Sequence, residues 1–334
     1  MMQILSCQQE PSRRGRAKTP AVPIPAADLS DPIHLLCAAD ARYGAYAGIM
    51  LASVLRANPG ERFKVHLLSD QMRQRDLRKL TDLVEQAGSG CVVYDVAPRL
   101  ASYSRGIGNH LSRTAYARLL IADLLPAELR RILYLDCDII CTGTLRPLWR
   151  LAPTIPLLGM VPDRAGDGWK TRLGLPGEAT YFNSGVLLIN LDGWRQGDVA
   201  GRIVEWLAAN PAKIGLADQD AINACLIGQI TSLADCWNLQ IGIDSGPLPA
   251  ARLNEAVLLH YDGAHKPWRF RFRGPGAEIF RACKRASPWR LTPPTFRLVY
   301  RLEKSLNKRL ARWRSPSGGQ ATISANRRAK ASGP

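Results

Sequence analysis

Apolar and polar positions succeed one another along this chain in two rhythms, one of strand length and one of helical spacing. Ile33 to Ala39 is a short continuous apolar run, and Tyr43 to Arg56 then carries apolar residues every three or four positions up to a stop at Asn58-Pro59-Gly60. The succession repeats: Phe63 to Leu68 is predicted as a strand, Gln71 to Gln86 as a helix ending at Gly88, and Cys91 to Val96 as another strand. Alternation of this βαβ kind predicts an α/β fold with a mainly parallel sheet. Arg113 to Leu125 is predicted as a helix stopped by Pro126, and the apolar strand Arg131 to Leu135 feeds straight into Asp136-Cys137-Asp138. From about Gly143 to His260 short strands mix with helices predicted at Val199 to Ala209 and Asp218 to Ile227, and no internal repeat is present.

Composition changes this picture chiefly at the two ends. Residues 1–30, with Arg13, Arg14, Arg16, Lys18 and several prolines, hold too little apolar material to pack and read as a disordered leader. They lack the basic and then apolar pattern of a secretory signal, and no stretch reaches the roughly 20 apolar residues of a membrane span, so a cytoplasmic protein is expected. The eight cysteines include no Cys-x-x-Cys pair, which favours reduced, buried thiols. The formal charge of +17 is concentrated: from Lys266 onward 18 Lys and Arg face only Glu278 and Glu303, so the preceding body is almost neutral. Phe296, Val299, Leu302, Leu306, Leu310 and Trp313 recur at helical spacing among Arg301, Lys304, Lys308, Arg309, Arg312 and Arg314, the pattern of an interfacial amphipathic helix. The expected organisation is therefore a leader (1–30), a catalytic domain (31–275), a basic amphipathic C-terminal region (276–315) and a disordered tail (316–334). Peripheral attachment to an anionic inner membrane face is the expected location. A sequence isoelectric point near 9.9 also suggests nucleic acid, but the near-neutral body and the lack of a zinc-finger or RNA-recognition signature argue against specific nucleic-acid binding.

The candidate chemistry lies at strand ends. Asp136 and Asp138 flank one residue at the mouth of a strand, so an extended backbone turns both carboxylates to one side, where they suit a hard divalent cation. Alone, Asp-x-Asp is also a solvated strand end, or the signature of a haloacid-dehalogenase type phosphohydrolase; against the latter, Asp136 is mid-chain and Ile140 stands where a Thr is expected. Ala38-Ala39-Asp40 ends the first strand in the same manner, and His260 closes the apolar run Val257 to Leu259. Two carboxylates and an imidazole can hold a metal that neutralises a diphosphate leaving group.

Six segments then occur in a telling order: Ala38-Ala39-Asp40, Thr114 to Leu119, Leu133 to Asp138, Tyr181 to Asn190, Asp218-Gln219-Asp220, and His260 to Trp268. The ordered set, from about residue 33 to 270, resembles glycosyltransferase family 8, which includes bacterial lipopolysaccharide core galactosyl- and glucosyltransferases and glycogenin. The resemblance implies a GT-A fold, with a Rossmann-like sheet flanked by helices, and a retaining hexosyltransferase. It also implies a UDP-sugar donor (UDP-galactose or UDP-glucose), Mn²⁺ or Mg²⁺, and a glycan or glycolipid acceptor such as lipopolysaccharide core. Carried over residue by residue, Asp136, Asp138 and His260 would ligate the metal. Ala38, Ala39, Asp40 and Tyr43 would hold the uridine, and Gly263 and Lys266 would meet the diphosphate. Arg118, Asp163, Asn183, Asp218 and Gln219 match positions around the donor sugar, as does His110. Arg42 departs from the family's usual Asn two residues after the first motif's Asp, which bears on one ribose or base contact. Arg118 within an apolar helix calls for a partner. Gln219 matches the position near the anomeric carbon, but an amide is a poor nucleophile, and Asp163, Asp218 or Asp220 would be chemically better. Attack by the acceptor on the leaving group's own face is therefore favoured over a covalent intermediate.

Overall fold

Buried apolar runs build the centre of the molecule. The computed structural model describes residues 31–103, 113–242 and 248–294. Strands β1 (Ile33–Asp40), β2 (Phe63–Asp70) and β3 (Gly90–Asp95) lie parallel, and β4 (Arg131–Leu135) joins β1 in parallel on its other side. A short strand β5 (Ile139–Cys141) follows at once. Then come β6 (Leu158–Pro162), β7 (Phe182–Asn190) and β8 (Ile230–Ser232), which complete a seven-stranded sheet of order β3-β2-β1-β4-β7-β6-β8. Only β7 runs antiparallel to its neighbours, against β4 and β6. The mainly parallel expectation holds, and this reversal places the start of β7 beside the end of β4, where Asp136 N–H donates to Gly185 O at 2.9 Å.

A second sheet of order β5-β10-β9 is formed with β9 (Leu239–Gln240) and β10 (Leu258–His260). Its register pairs His260 with Ile139, one residue past Asp138, and Tyr261 N–H donates to Asp138 O at 3.0 Å. Two distant parts of the chain are thus brought to one point by backbone pairing.

The helices Gly44–Ala57 and Gln74–Gln86 connect the first three strands, and the helix Val199–Ala209 stands where its spacing predicts it. One expectation is corrected. Arg113–Leu120 winds as a 3₁₀ helix and only Ile121–Leu124 is α-helical; the segment is tied at one end, where Arg113 and Thr114 bond Asp70, and near the other by Arg118, and 3₁₀ winding lets Arg118 Nε reach Ala115 O at 3.3 Å. Asn183 and Ser184 lie inside β7. The chain continues past residue 275, where the basic C-terminal region is expected to begin. The helix Ala277–Arg285 buries Phe280 and Cys283, and Trp289 lies against Gly48, where a Cβ would overlap its ring, and donates its Nε1–H to Asp76 at 3.0 Å. Residues 271–293 accordingly belong to the same compact unit as 31–267. The stretch 296–313, expected to be amphipathic, and the segments 1–30 and 316–334, expected to be disordered, lie outside the described residues. Six cysteines, Cys37, Cys91, Cys137, Cys141, Cys225 and Cys283, are free thiols, and no helix among the described residues is long and apolar enough to cross a membrane.

Candidate active site

The site is assembled where β1 and β4 end, β7 begins and β10 ends. Asp136, Asp138 and His260 each offer a ligand atom there, all within 4.8 Å of one another. His260 Nε2 stands 3.3 Å from Asp138, while its Nδ1 is 3.0 Å from Asn238 Oδ1. An amide oxygen at Nδ1 places the ring proton there and leaves the Nε2 lone pair turned toward the carboxylates, the arrangement a metal-ligating imidazole needs. The ring fits because residue 185 is glycine: a Cβ there would overlap the imidazole. Burial opposes charge on His260, but Asp138 and then Asp262 outweigh it and move its pKa up. For Asp138 burial favours protonation, yet Lys266 and His260 reverse the balance and hold its carboxyl well below the ordinary range. Two carboxylate oxygens and one imidazole nitrogen fit a divalent cation.

Around this centre runs a closed ring of contacts. Arg118, 4% exposed, lies with Nη2 3.1 Å from Asp136 and Nε 2.9 Å from Asp218, donates Nη1–H to Ser184 O, and stacks over Tyr134, whose hydroxyl donates to Asp136 at 2.6 Å. The sequence expectation that Arg118 must have a partner is met twice over. Burial works against its charge, but Asp218 and the neighbouring acidic groups keep it firmly protonated. Ser184 N–H and Oγ–H both donate to Gln219 Oε1, at 2.9 and 3.2 Å; Gln219 Nε2 donates to Asp163 at 3.1 Å, and Asn183 Nδ2 donates to the same Asp163 oxygen at 3.1 Å. Asn183 Oδ1 accepts from Asn238, which returns the ring to His260. Asp218 Oδ2 has the close ion contact with Arg118 but no aligned hydrogen-bond donor. Burial pushes Asp218 up to about 6, against the pull of Arg118 and with the help of Asp136.

The predicted nucleotide-side residues sit at the adjoining strand end. Ala38 and Ala39 are buried at the end of β1, and Ala38 O accepts from Cys137 Sγ–H at 3.0 Å, tying β1 to β4. Asp40 Oδ1 accepts the backbone N–H groups of Arg42 and Tyr43, at 2.8 and 2.9 Å, and Arg42 Nη2 folds back to Oδ2 at 3.2 Å. The residue that departs from the family pattern is thus engaged with the Asp of the first motif. Gly263 turns the chain after β10 with a φ of 67°, and Lys266 pairs its ammonium with Asp138 and donates to Tyr261 O at 2.9 Å. Lys266 therefore stands on a candidate metal ligand. His110 lies outside the described residues. Tyr134, Ser184, Tyr181 and Asn238 were not singled out by the sequence; Tyr134, Tyr181 and Ser184 fall within matched segments, whereas nothing local marks Asn238.

Residues 34–271 match the model of glycosyl transferase family 8. The chain belongs to that family. Over 259 residues it is 32% identical to the lipopolysaccharide glucosyltransferase WaaO of Escherichia coli K12, covering 73% of this chain and 75% of the relative. Over 272 residues it is 28% identical to a lipopolysaccharide 1,3-galactosyltransferase of Salmonella typhimurium, covering 78% and 80%. Among solved structures, the galactosyltransferase LgtC, in complex with donor and acceptor sugar analogues, superposes with a TM-score of 0.66 at 27% identity, covering 77% of this chain and 96% of that one. The fold is GT-A and the protein is a retaining hexosyltransferase of family 8. The phosphohydrolase and nucleic-acid alternatives fall away, and Asp136, which a phosphohydrolase would need as nucleophile, has one oxygen held by both Tyr134 and Arg118.

Proposed function

We propose that this family 8 enzyme uses Mn²⁺ or Mg²⁺ to move galactose or glucose from its UDP-sugar to a lipopolysaccharide core acceptor. The observation that carries the reading is the Asp136–Asp138–His260 cluster with the His260 ring turned by Asn238. The names of the Escherichia coli and Salmonella relatives support the acceptor class. A divalent cation held by those three residues would supply charge neutralisation for the departing diphosphate. Lys266, released from Asp138, reaches the same phosphates, with the Gly263 turn leaving room for them. Ala38, Ala39, Asp40 and Tyr43 hold the uridine, and Arg118, Asp163, Asn183, Asp218 and Gln219 fix the sugar.

The contacts support attack on the leaving group's own face. Both ends of the Gln219 amide are engaged, and Asp220 is fully buried under four donors, so neither is available as a nucleophile. Asp163 already accepts from Ala165, Asn183 and Gln219. In this route the acceptor hydroxyl bonds to the anomeric carbon as the bond to UDP breaks, and its proton passes to the leaving phosphate. The basic C-terminal segment, proposed as a peripheral anchor on the anionic inner face of the membrane, would bring the enzyme to a lipid-linked acceptor.

The test is incubation with UDP-galactose or UDP-glucose and a core oligosaccharide, with the anomeric configuration of the product read by proton NMR. Retained configuration from one of the two donors is expected. An inverted product, or no transfer from either, would overturn the proposal.

A further inference from the structure

The buried carboxylate that the proposed chemistry leaves unused is Asp220. It is 0% exposed, yet four donors converge on it. Its Oδ2 accepts Gly215 N–H and Leu216 N–H, both at 2.7 Å, and Arg172 Nη2–H at 2.6 Å, while Oδ1 accepts the Tyr181 hydroxyl at 2.7 Å. Residue 215 is glycine where a Cβ would collide with the Arg172 guanidinium, so the chain leaves space for this approach. Directly after the two clamped amides comes Ala217, at φ 52° and ψ −125°, a left-handed conformation that an L side chain resists. Its methyl is nevertheless buried in the core. The next two residues are Asp218 and Gln219.

A carboxylate only accepts hydrogen bonds, and this sets a direction for everything beyond it. Tyr181 must give its proton to Asp220, which leaves its oxygen to accept Gln219 Nε2–H at 3.3 Å. With its NH₂ turned that way and toward Asp163, the Gln219 amide must present its oxygen to Ser184. We propose that Asp220 is a positioning residue, which holds the strained Ala217 turn and, through Tyr181, orients the Gln219 amide in the donor pocket. The role rests on the transferase reading above and adds a residue that need not touch the substrate.

Two variants separate orientation from mere folding. Asp220→Asn replaces an acceptor-only group with one that also donates, and is expected to lower kcat by about 10- to 100-fold, with KM for the UDP-sugar within about 2-fold. Hydrogen exchange at the Gly215 and Leu216 amides should quicken, and adding Ala217→Gly, which removes the strain, should recover part of the lost kcat. Tyr181→Phe removes the hydroxyl that joins Asp220 Oδ1 to Gln219 and leaves the Oδ2 contacts to the two amides in place; kcat should fall by about 10-fold while those amides keep their protection. If Asp220→Asn does not fold, the Tyr181→Phe result alone decides. Unchanged kcat in Tyr181→Phe, or a loss seen only in KM, would overturn the positioning role. A wild-type chain that turns over no UDP-sugar would instead refute the proposed function, while the exchange data would still read the clamp.

Discussion

Two parts of the main sheet bury polar side chains and treat them in opposite ways. On β1, β2 and β3 a diagonal row runs from His34 Nδ1 to His66 Nε2 at 3.0 Å and from His66 Nδ1 to Tyr94 Oη at 3.0 Å. Burial, and then the neighbouring His34, hold His66 down to about 4, so the row is neutral near pH 7. Where β4 meets β7, by contrast, Arg118 is ion-paired with Asp136 and Asp218 and Lys266 with Asp138, and Asp218 Oδ2 lacks an aligned donor among the described residues. A neutral, paired row costs little and serves the sheet. Buried charge with an unfilled bond is retained only where something is to be bound or stabilised.

Removing one partner should therefore hurt most at the charged end. Arg118→Met keeps the length but strands Asp218 in the core; thermal unfolding should show a loss of roughly 3–5 kcal/mol, with UDP-sugar turnover abolished. A near-normal melting temperature would mean that Asp218 is already neutral and the contrast is overstated. The neutral row predicts a pH effect. Between pH 6.5 and about 4 the unfolded chain takes up a proton on His66 that the folded chain refuses, so stability present above pH 6.5 is lost as the pH falls toward 4, by up to roughly 3 kcal/mol. Denaturant titrations across that range should show the slope, and His66→Gln should flatten it. Tyr94→Phe, at the far end of the row, should cost only about 1 kcal/mol and leave activity intact.

The same contrast explains what could be read from the chain beforehand. Strands and helices around β1 to β4 were legible because local apolar rhythm decides them, and Asp136-Cys137-Asp138 was legible because the motif lies within three residues. The 3₁₀ winding of Arg113–Leu120 was not, since it follows from ties to Asp70 and to the far strand. Nor was the reversal of β7, whose apolar run reads identically in either direction. The docking of Trp289 on Gly48 joins residues 241 positions apart, and the Asn238–His260 contact depends on the small second sheet; no local pattern encodes either. Arg118 was anticipated to need a partner from its chemistry alone, but Asp218 and Asp136 as those partners required the fold.

The central claim, that the cluster at the meeting of β4, β7 and β10 binds a cation for UDP departure, is tested most directly by one assay. UDP release from UDP-galactose and UDP-glucose would be followed for the wild type and Asp138→Asn, with Mn²⁺ and with EDTA. The account predicts release from one donor that needs the metal and falls by at least about 100-fold in the variant. Release that is indifferent to EDTA, or equal in Asp138→Asn, would contradict it.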